Sequence, residues 1–362
     1  MPHRTVVLLS LGHLVTDINQ GALPALLPFL IAEHHLSYTA AGFLIFACNI
    51  ASTVVQPIFG HLADRRPNAW LLPAGIVLAG AGLAAVGFVP SYALACAAVM
   101  VSGIGVAAFH PQGARFVNRV AGERKATAMS VFGVGGTLGF AIGPGLITAA
   151  LLHWGLAGTA VLAVPTSLLA VLIARHLVSV PVDAGGSPAT LAGKPTADGR
   201  DAWGPFARLT AAVVARAILS YGFNTFIPLY WIHVLGQSKA AGATALTVFA
   251  LAGVAGNLIG GQLADRFGHK RVFLLGTALF TLGSAACAAA PGVGILNAFR
   301  VIQAVGAAAV IPASLALVMR AFPRDRLPVA VAIWGAMGAA ARANVPRVRG
   351  STQPQSVVWT TA

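Results

Sequence analysis

Charge is scarce in this chain. Only 9% of its 362 residues are Asp, Glu, Lys or Arg, against about 25% in soluble domains. Acids are the rarest, 9 against 23 bases. Cysteine is nearly missing: Cys48, Cys96 and Cys287 fall inside apolar runs without metal-ligand spacing, so they serve as small packing residues. No nucleophile stands beside a base, and no zinc pattern or phosphate loop occurs. Gly103-x-Gly105 lies in an apolar run with no strand before it, so it is no dinucleotide loop. These absences exclude an ordinary soluble fold and leave no catalytic constellation, cofactor or metal to assign.

Apolar residues fill the space instead. They make up 57% of the chain, and mean hydropathy is +0.81. They gather in runs of about 20 residues, each able to cross about 30 Å of hydrocarbon. The spans are expected at about 5–32, 39–62, 70–90, 92–115, 126–151, 155–178, 205–234, 241–263, 271–291 and 294–319. This is the pattern of an all-α integral membrane protein.

The net charge of +14 invites a nucleic-acid reading, which its placement rejects. With the N-terminus in the cytoplasm, bases collect on that side, from Arg4, Arg65 and Arg66 through Arg124 and Lys125 to Arg320 and Arg326. The opposite side holds only Lys239. That asymmetry orients a multi-pass protein of the cell membrane, its basic excess facing anionic lipid. Trp70, Trp154, Trp203 and Trp231 lie near span ends and are expected as interface anchors.

Two halves follow. Residues 1–178 hold six spans and 179–204 form a cytoplasmic linker rich in Gly, Pro, Ala, Asp and Thr. Residues 205–341 hold four full spans and a partial eleventh that starts at Pro328 and fades by Ala341. The segment 342–362 is polar, is expected to be disordered, and looks like a truncated or out-of-frame end. A six-plus-six plan would thus be short of nearly two helices. One loop signature recurs across the halves: Gly60-His-Leu-Ala-Asp64-Arg65 after the second span, and Gly261-Gln-Leu-Ala-Asp265-Arg266-Phe-Gly268-His-Lys270-Arg271 after the eighth. Such duplication is how many transporters build a site that opens to either side in turn. The aspartate is expected to accept hydrogen bonds from backbone and from Arg or Lys, latching neighbouring helices in one state.

Asp17 is the only acid deep in a span, about 18 Å along the first helix. An ionised carboxylate there must be paired, hydrated or protonated. His13, at i−4 on the same face, can share its proton. Arg216 in the seventh span and Arg300 in the tenth are candidate counter-charges or anion anchors. Asn19, Gln20, Asn49, His110, Gln112 and Asn224 are candidate cavity residues. Pro111 bends the fourth span beside His110, which either faces the cavity or is satisfied within the kink. In the fifth span Gly135, Gly136, Gly139, Gly143, Pro144 and Gly145 allow close helix packing and a bend.

These residues resemble the major facilitator superfamily and, within it, the fosmidomycin-resistance protein family of drug exporters. The resemblance rests on Gly12-His13-Leu-Val-Thr-Asp17, Leu23-Pro24-Ala-Leu-Leu-Pro28, Gln56-Pro57-x-x-Gly60, Phe109-His110-Pro111, Gly135-Gly136, Gly143-Pro144, Arg216, Phe226-x-Pro228-Leu-Tyr230 and the Gly261 loop, over about residues 8–275. Residues 279–338, with Arg300-Val-Ile-Gln303-Ala-Val-Gly306, look more like fourteen-helix drug–proton antiporters. The resemblance implies a two-bundle, monomeric transporter that exports small molecules by alternating access, coupled to protons. Gly143-Pro144 looks like the antiporter motif of drug exporters. Uptake of a small polar or anionic metabolite, with Arg216 as anchor, is the alternative within transport. A non-transporting remnant is the alternative outside it.

Overall fold

The computed structural model describes residues 2–65, 69–121, 125–178 and 203–322, and single positions at 326, 330, 333, 334 and 337. Among these residues helix is the only regular secondary structure. The helices are α1 (Pro2–His34), α2 (Tyr38–Arg65), α3 (Leu71–Ala85), α4 (Tyr92–Val120), α5 (Lys125–Trp154), α6 (Ala163–Val178), α7 (Trp203–His233), α8 (Lys239–Phe267), α9 (His269–Ala288) and α10 (Val293–Ala321). A 3-10 stretch, Gly155–Leu162, joins α5 to α6, so the sixth expected span begins as 3-10 rather than α-helix. Eight stretches among the described residues are long and apolar enough to cross a membrane. One of them, Val131–Val178, runs through α5 and α6 together. Trp203 and Gly204 of the expected linker begin α7; the rest of it lies outside the described residues, as do the 342–362 segment and most of the partial eleventh span.

Helix starts follow local chemistry. Ser37, Ser91 and Ser238 each stand just before a helix and accept the amide of Ala40, Leu94 and Ala241 at 3.1, 3.3 and 3.1 Å. Each satisfies a donor that the first turn would otherwise leave bare.

The helices divide into two compact units. One holds α1 to α6 together with the α7–α8 hairpin, Gly222–Thr247; the other holds the start of α7, the rest of α8, and α9 and α10. In the first unit, α1 and α5 approach backbone to backbone. A Cβ on Gly135, Gly139 or Gly143 of α5 would run into the carbonyls of Ser10, Leu14 and Ile18 of α1. Gly21 of α1 meets the Phe140 carbonyl in return. Spacing of four residues puts this stripe on one face, and only glycine permits the approach. The unit has two buried clusters, one around Leu26, Leu44, Val99 and Ile147, the other around Leu9, Ile76, Phe109 and Phe132.

The α7–α8 hairpin belongs to the first cluster through Leu229 and Phe226. It also sets Lys239 Nζ 4.2 Å over the Phe29 ring and His233 edge-on to Tyr38 at 5.7 Å. Trp231 is accordingly buried, at 1% exposure. Its expected role as an interface anchor is corrected: the hairpin packs back on α1 and α2, so the indole becomes core. Trp70 and Trp154 stay well exposed.

In the second unit, Val213, Phe273, Val310 and Ala313 form one core and Phe206, Val318 and Phe322 another. The α8–α9 corner turns at Gly268, whose φ of 93° and ψ of 136° suit glycine alone.

Candidate functional site: a histidine–aspartate–histidine triad

Positions 13 and 17 are one turn apart, so their side chains leave α1 on the same face. That face meets α4 and α5. Asp17 Oδ2 lies 3.3 Å from His13 Nε2, and Asp17 Oδ1 lies 2.9 Å from His110 Nε2 of α4. Gln20 adds a weaker contact, its amide 3.4 Å from Asp17 Oδ1. The three side chains are 14%, 14% and 19% exposed, mostly out of solvent but reachable.

Aromatic walls hold the histidines. The His13 ring stacks on Phe132 at 4.2 Å and meets His110 edge-on at 4.9 Å. Phe109, fully buried, backs both rings at 6.2 Å. Gly136 leaves the space: a Cβ there would strike His13 Nε2 and stand 2.7 Å from Asp17 Oδ2. A side chain on the α5 face would therefore push the triad apart.

Hydrogen-bond logic counts the protons. His13 Nδ1 sits 2.7 Å from the Phe132 carbonyl, which accepts and cannot donate, so Nδ1 carries hydrogen. In a neutral ring Nε2 would then be a bare lone pair facing a carboxylate at 3.3 Å. The contact is attractive only when a proton lies between them, on the imidazole or on the carboxyl. A proton placed there makes the contact a charge-assisted hydrogen bond.

The other expected site residues disperse. Asn19 is buried at 1% exposure, its amide donating back to Val15 of its own helix at 2.8 Å. Its side chain lies in the packed bundle with the amide N–H turned back on α1. Gln112 is buried on α4, while Asn49 and Asn224 are half-buried on α2 and α7. Arg216 is half-buried on α7 in the second unit. Arg300 Nη1 donates to Gln303 at 2.8 Å, and Gln303 Nε2 donates to Ser284 of α9 at 2.6 Å.

In the loop signature, Asp265 faces His269 at 3.6 Å and is 84% exposed. Its ion pair among the described residues is thus with a histidine one turn on, where an arginine or lysine was expected. Arg266 instead lies over the Phe267 ring at 5.4 Å. In the first copy α2 runs as helix through Gly60, Asp64 and Arg65, whose side chains lie outside the described residues. Gly139 and Gly143 pack α5 on α1 as above, and the helix continues through Pro144.

Sequence reasoning placed His110 among cavity residues and missed its bond to Asp17. The available signal was the scarcity itself: ionisable groups inside spans pair with one another. Nothing in the sequence marked the Phe132 carbonyl.

Comparison with known proteins supplies the context. The profile of the Major Facilitator Superfamily matches residues 9–243 and 209–346. The MFS-type transporter YfnC of Bacillus subtilis strain 168 is 30% identical over 288 residues, 76% of this chain and 68% of that protein. The fosmidomycin resistance protein of Escherichia coli strain K12 is 29% identical over 293 residues, 76% of this chain and 69% of its own. Among solved structures, a bacterial homologue of the human lysosomal transporter Spinster, inward-facing and unoccupied, superposes with a TM-score of 0.75. That match covers 94% of this chain and 80% of the other at 16% identity, a likeness of fold.

Proposed function

The chain belongs to the Major Facilitator Superfamily of membrane transporters, and from that premise we propose that it exports small molecules against inward proton flow. The proton carrier is the triad of His13, Asp17 and His110. The observation that carries this reading is the pair of contacts on His13: Nδ1 on a backbone carbonyl at 2.7 Å and Nε2 on Asp17 at 3.3 Å. In this reading one added proton sits between Nε2 and the carboxylate. Releasing it leaves a carboxylate facing a lone pair, so the loaded and unloaded triads favour different side-chain geometries. A two-state helix bundle converts such a local difference into alternating access.

Arg300 is engaged with Gln303 and has no part in this proposal. The similarity to a fosmidomycin resistance protein names the first substrate to test, a small polar drug, and favours export over uptake. The test is transport of labelled fosmidomycin in proteoliposomes under imposed pH gradients, with Asp17→Asn beside the native chain. The native chain should move drug opposite to the proton flow, and Asp17→Asn should lose the gradient dependence. Gradient-driven transport unchanged in Asp17→Asn overturns the proton role. Movement of drug along with the proton flow overturns export.

A further inference from the structure

The triad is also a ligand set. His13 Nε2, one Asp17 oxygen and His110 Nε2 all lie within 4.8 Å of one another, and the two contacts to the carboxylate are 3.3 and 2.9 Å. Ligand atoms about 2.0–2.1 Å from a tetrahedral ion stand about 3.3 Å apart. The two histidine–carboxylate spacings, one to each Asp17 oxygen, are on this scale. The second histidine nitrogen is already braced, since His13 Nδ1 donates to the Phe132 carbonyl at 2.7 Å. Metal-binding histidines use this arrangement to fix the tautomer and aim the lone pair. The ring stack on Phe132 holds its plane. Two imidazoles and a carboxylate suit zinc-like dications, whereas magnesium and calcium seek oxygen-only shells. Three protein ligands leave a fourth position, and the exposure of the side chains leaves a way to reach it.

We propose that the triad binds one first-row transition-metal dication of the zinc class, through His13 Nε2, an Asp17 oxygen and His110 Nε2. The ion takes the place between His13 and Asp17 that the proton otherwise fills, so a metal-loaded transporter cannot cycle protons there. The inference uses the same triad as the proposed function, but binding does not require that protons be transported.

The experiment titrates Zn2+ alone into the purified full chain, carrying a tag without histidine, at constant pH, and reads stoichiometry and affinity by competition with a chromophoric chelator. Co2+ in place of Zn2+ reports geometry, because a four-coordinate site absorbs visible light far more strongly than the aqua ion. Native chain should bind one Zn2+ and give the strong Co2+ spectrum. His110→Ala should weaken binding at least about 10–100-fold, the effect of losing even a supporting group. His110→Cys, which restores a ligand, should recover it, so loss in His110→Ala cannot be blamed on misfolding.

No stoichiometric Zn2+ on the native chain overturns the proposal, and so does binding equal in His110→Ala. If Zn2+ binds while Asp17→Asn still transports on a pH gradient, the metal site stands and the proton role falls. If Zn2+ fails to bind while Asp17→Asn loses coupling, the reverse holds.

Discussion

His13 and Phe132 are joined twice: the His13 Nδ1–H donates to the Phe132 carbonyl at 2.7 Å, and the two rings stack at 4.2 Å. One contact fixes the tautomer and the other fixes the plane, so Nε2 reaches Asp17 already aimed.

The first prediction separates anchoring from proton handling. His13→Asn keeps an amide N–H where Nδ1 stands, able to donate to the same carbonyl, and deletes Nε2. Folding and helix content should be retained. Gradient-driven transport should fall by about 10²-fold or more, the scale of a lost acid–base group. Transport measured in proteoliposomes at native level would remove His13 from the proton unit.

Three glycines on α5 should give three different outcomes on substitution by alanine. At Gly139 the new methyl meets the Leu14 backbone, which cannot yield, so stability should drop by about 1–3 kcal/mol. At Gly136 it meets the ends of the His13 and Asp17 side chains, which must part to make room. Stability should then fall by less than at Gly139, while coupling is lost. At Gly133 nothing lies within 4 Å, and relief of glycine's entropy should leave stability unchanged or raised by about 0.5–1 kcal/mol. Thermal unfolding in detergent and transport assays on the same preparations read all three.

These outcomes mark where the sequence was informative. Apolar run length located most of the helices within a few residues, because crossing hydrocarbon takes about 20 apolar residues. The i,i+4 relation of His13 and Asp17 follows from helical period alone. The partner across the bundle did not, since His110 could face any neighbour until α4 was packed against α1. Asn19 reads as polar in a span, yet it is buried and its amide N–H bonds its own helix. Trp231 sits at a span end, yet the hairpin folds it inward. In each case a helix face, invisible to composition, decided the role.

At the corner between α8 and α9, Gly268→Ala should destabilise the protein by about 1–3 kcal/mol, because φ of 93° is costly for any residue with a Cβ. Asp265→Asn should change stability by well under that, as its carboxylate is exposed and its histidine partner is 3.6 Å away. A larger loss of melting temperature in Asp265→Asn than in Gly268→Ala would mean that the acid, and not the turn, holds this corner.

The last prediction concerns Gln303, fully buried on α10 between Arg300 and Ser284. Its carbonyl accepts from the arginine at 2.8 Å and its amide donates to the serine at 2.6 Å, so one side chain ties α10 to α9. Gln303→Met keeps the bulk and removes both functions, which should cost about 1–3 kcal/mol for the polar partners left behind. Ser284→Ala alone should also destabilise, by stranding the Gln303 amide. Combined, the two should cost less than the sum of the singles, because the methionine variant has no amide left to strand. A coupling of about 0.5–3 kcal/mol in that double-mutant cycle is expected. Strict additivity would show that the two side chains stabilise their helices independently, and that the α9–α10 pair is held by its apolar packing alone.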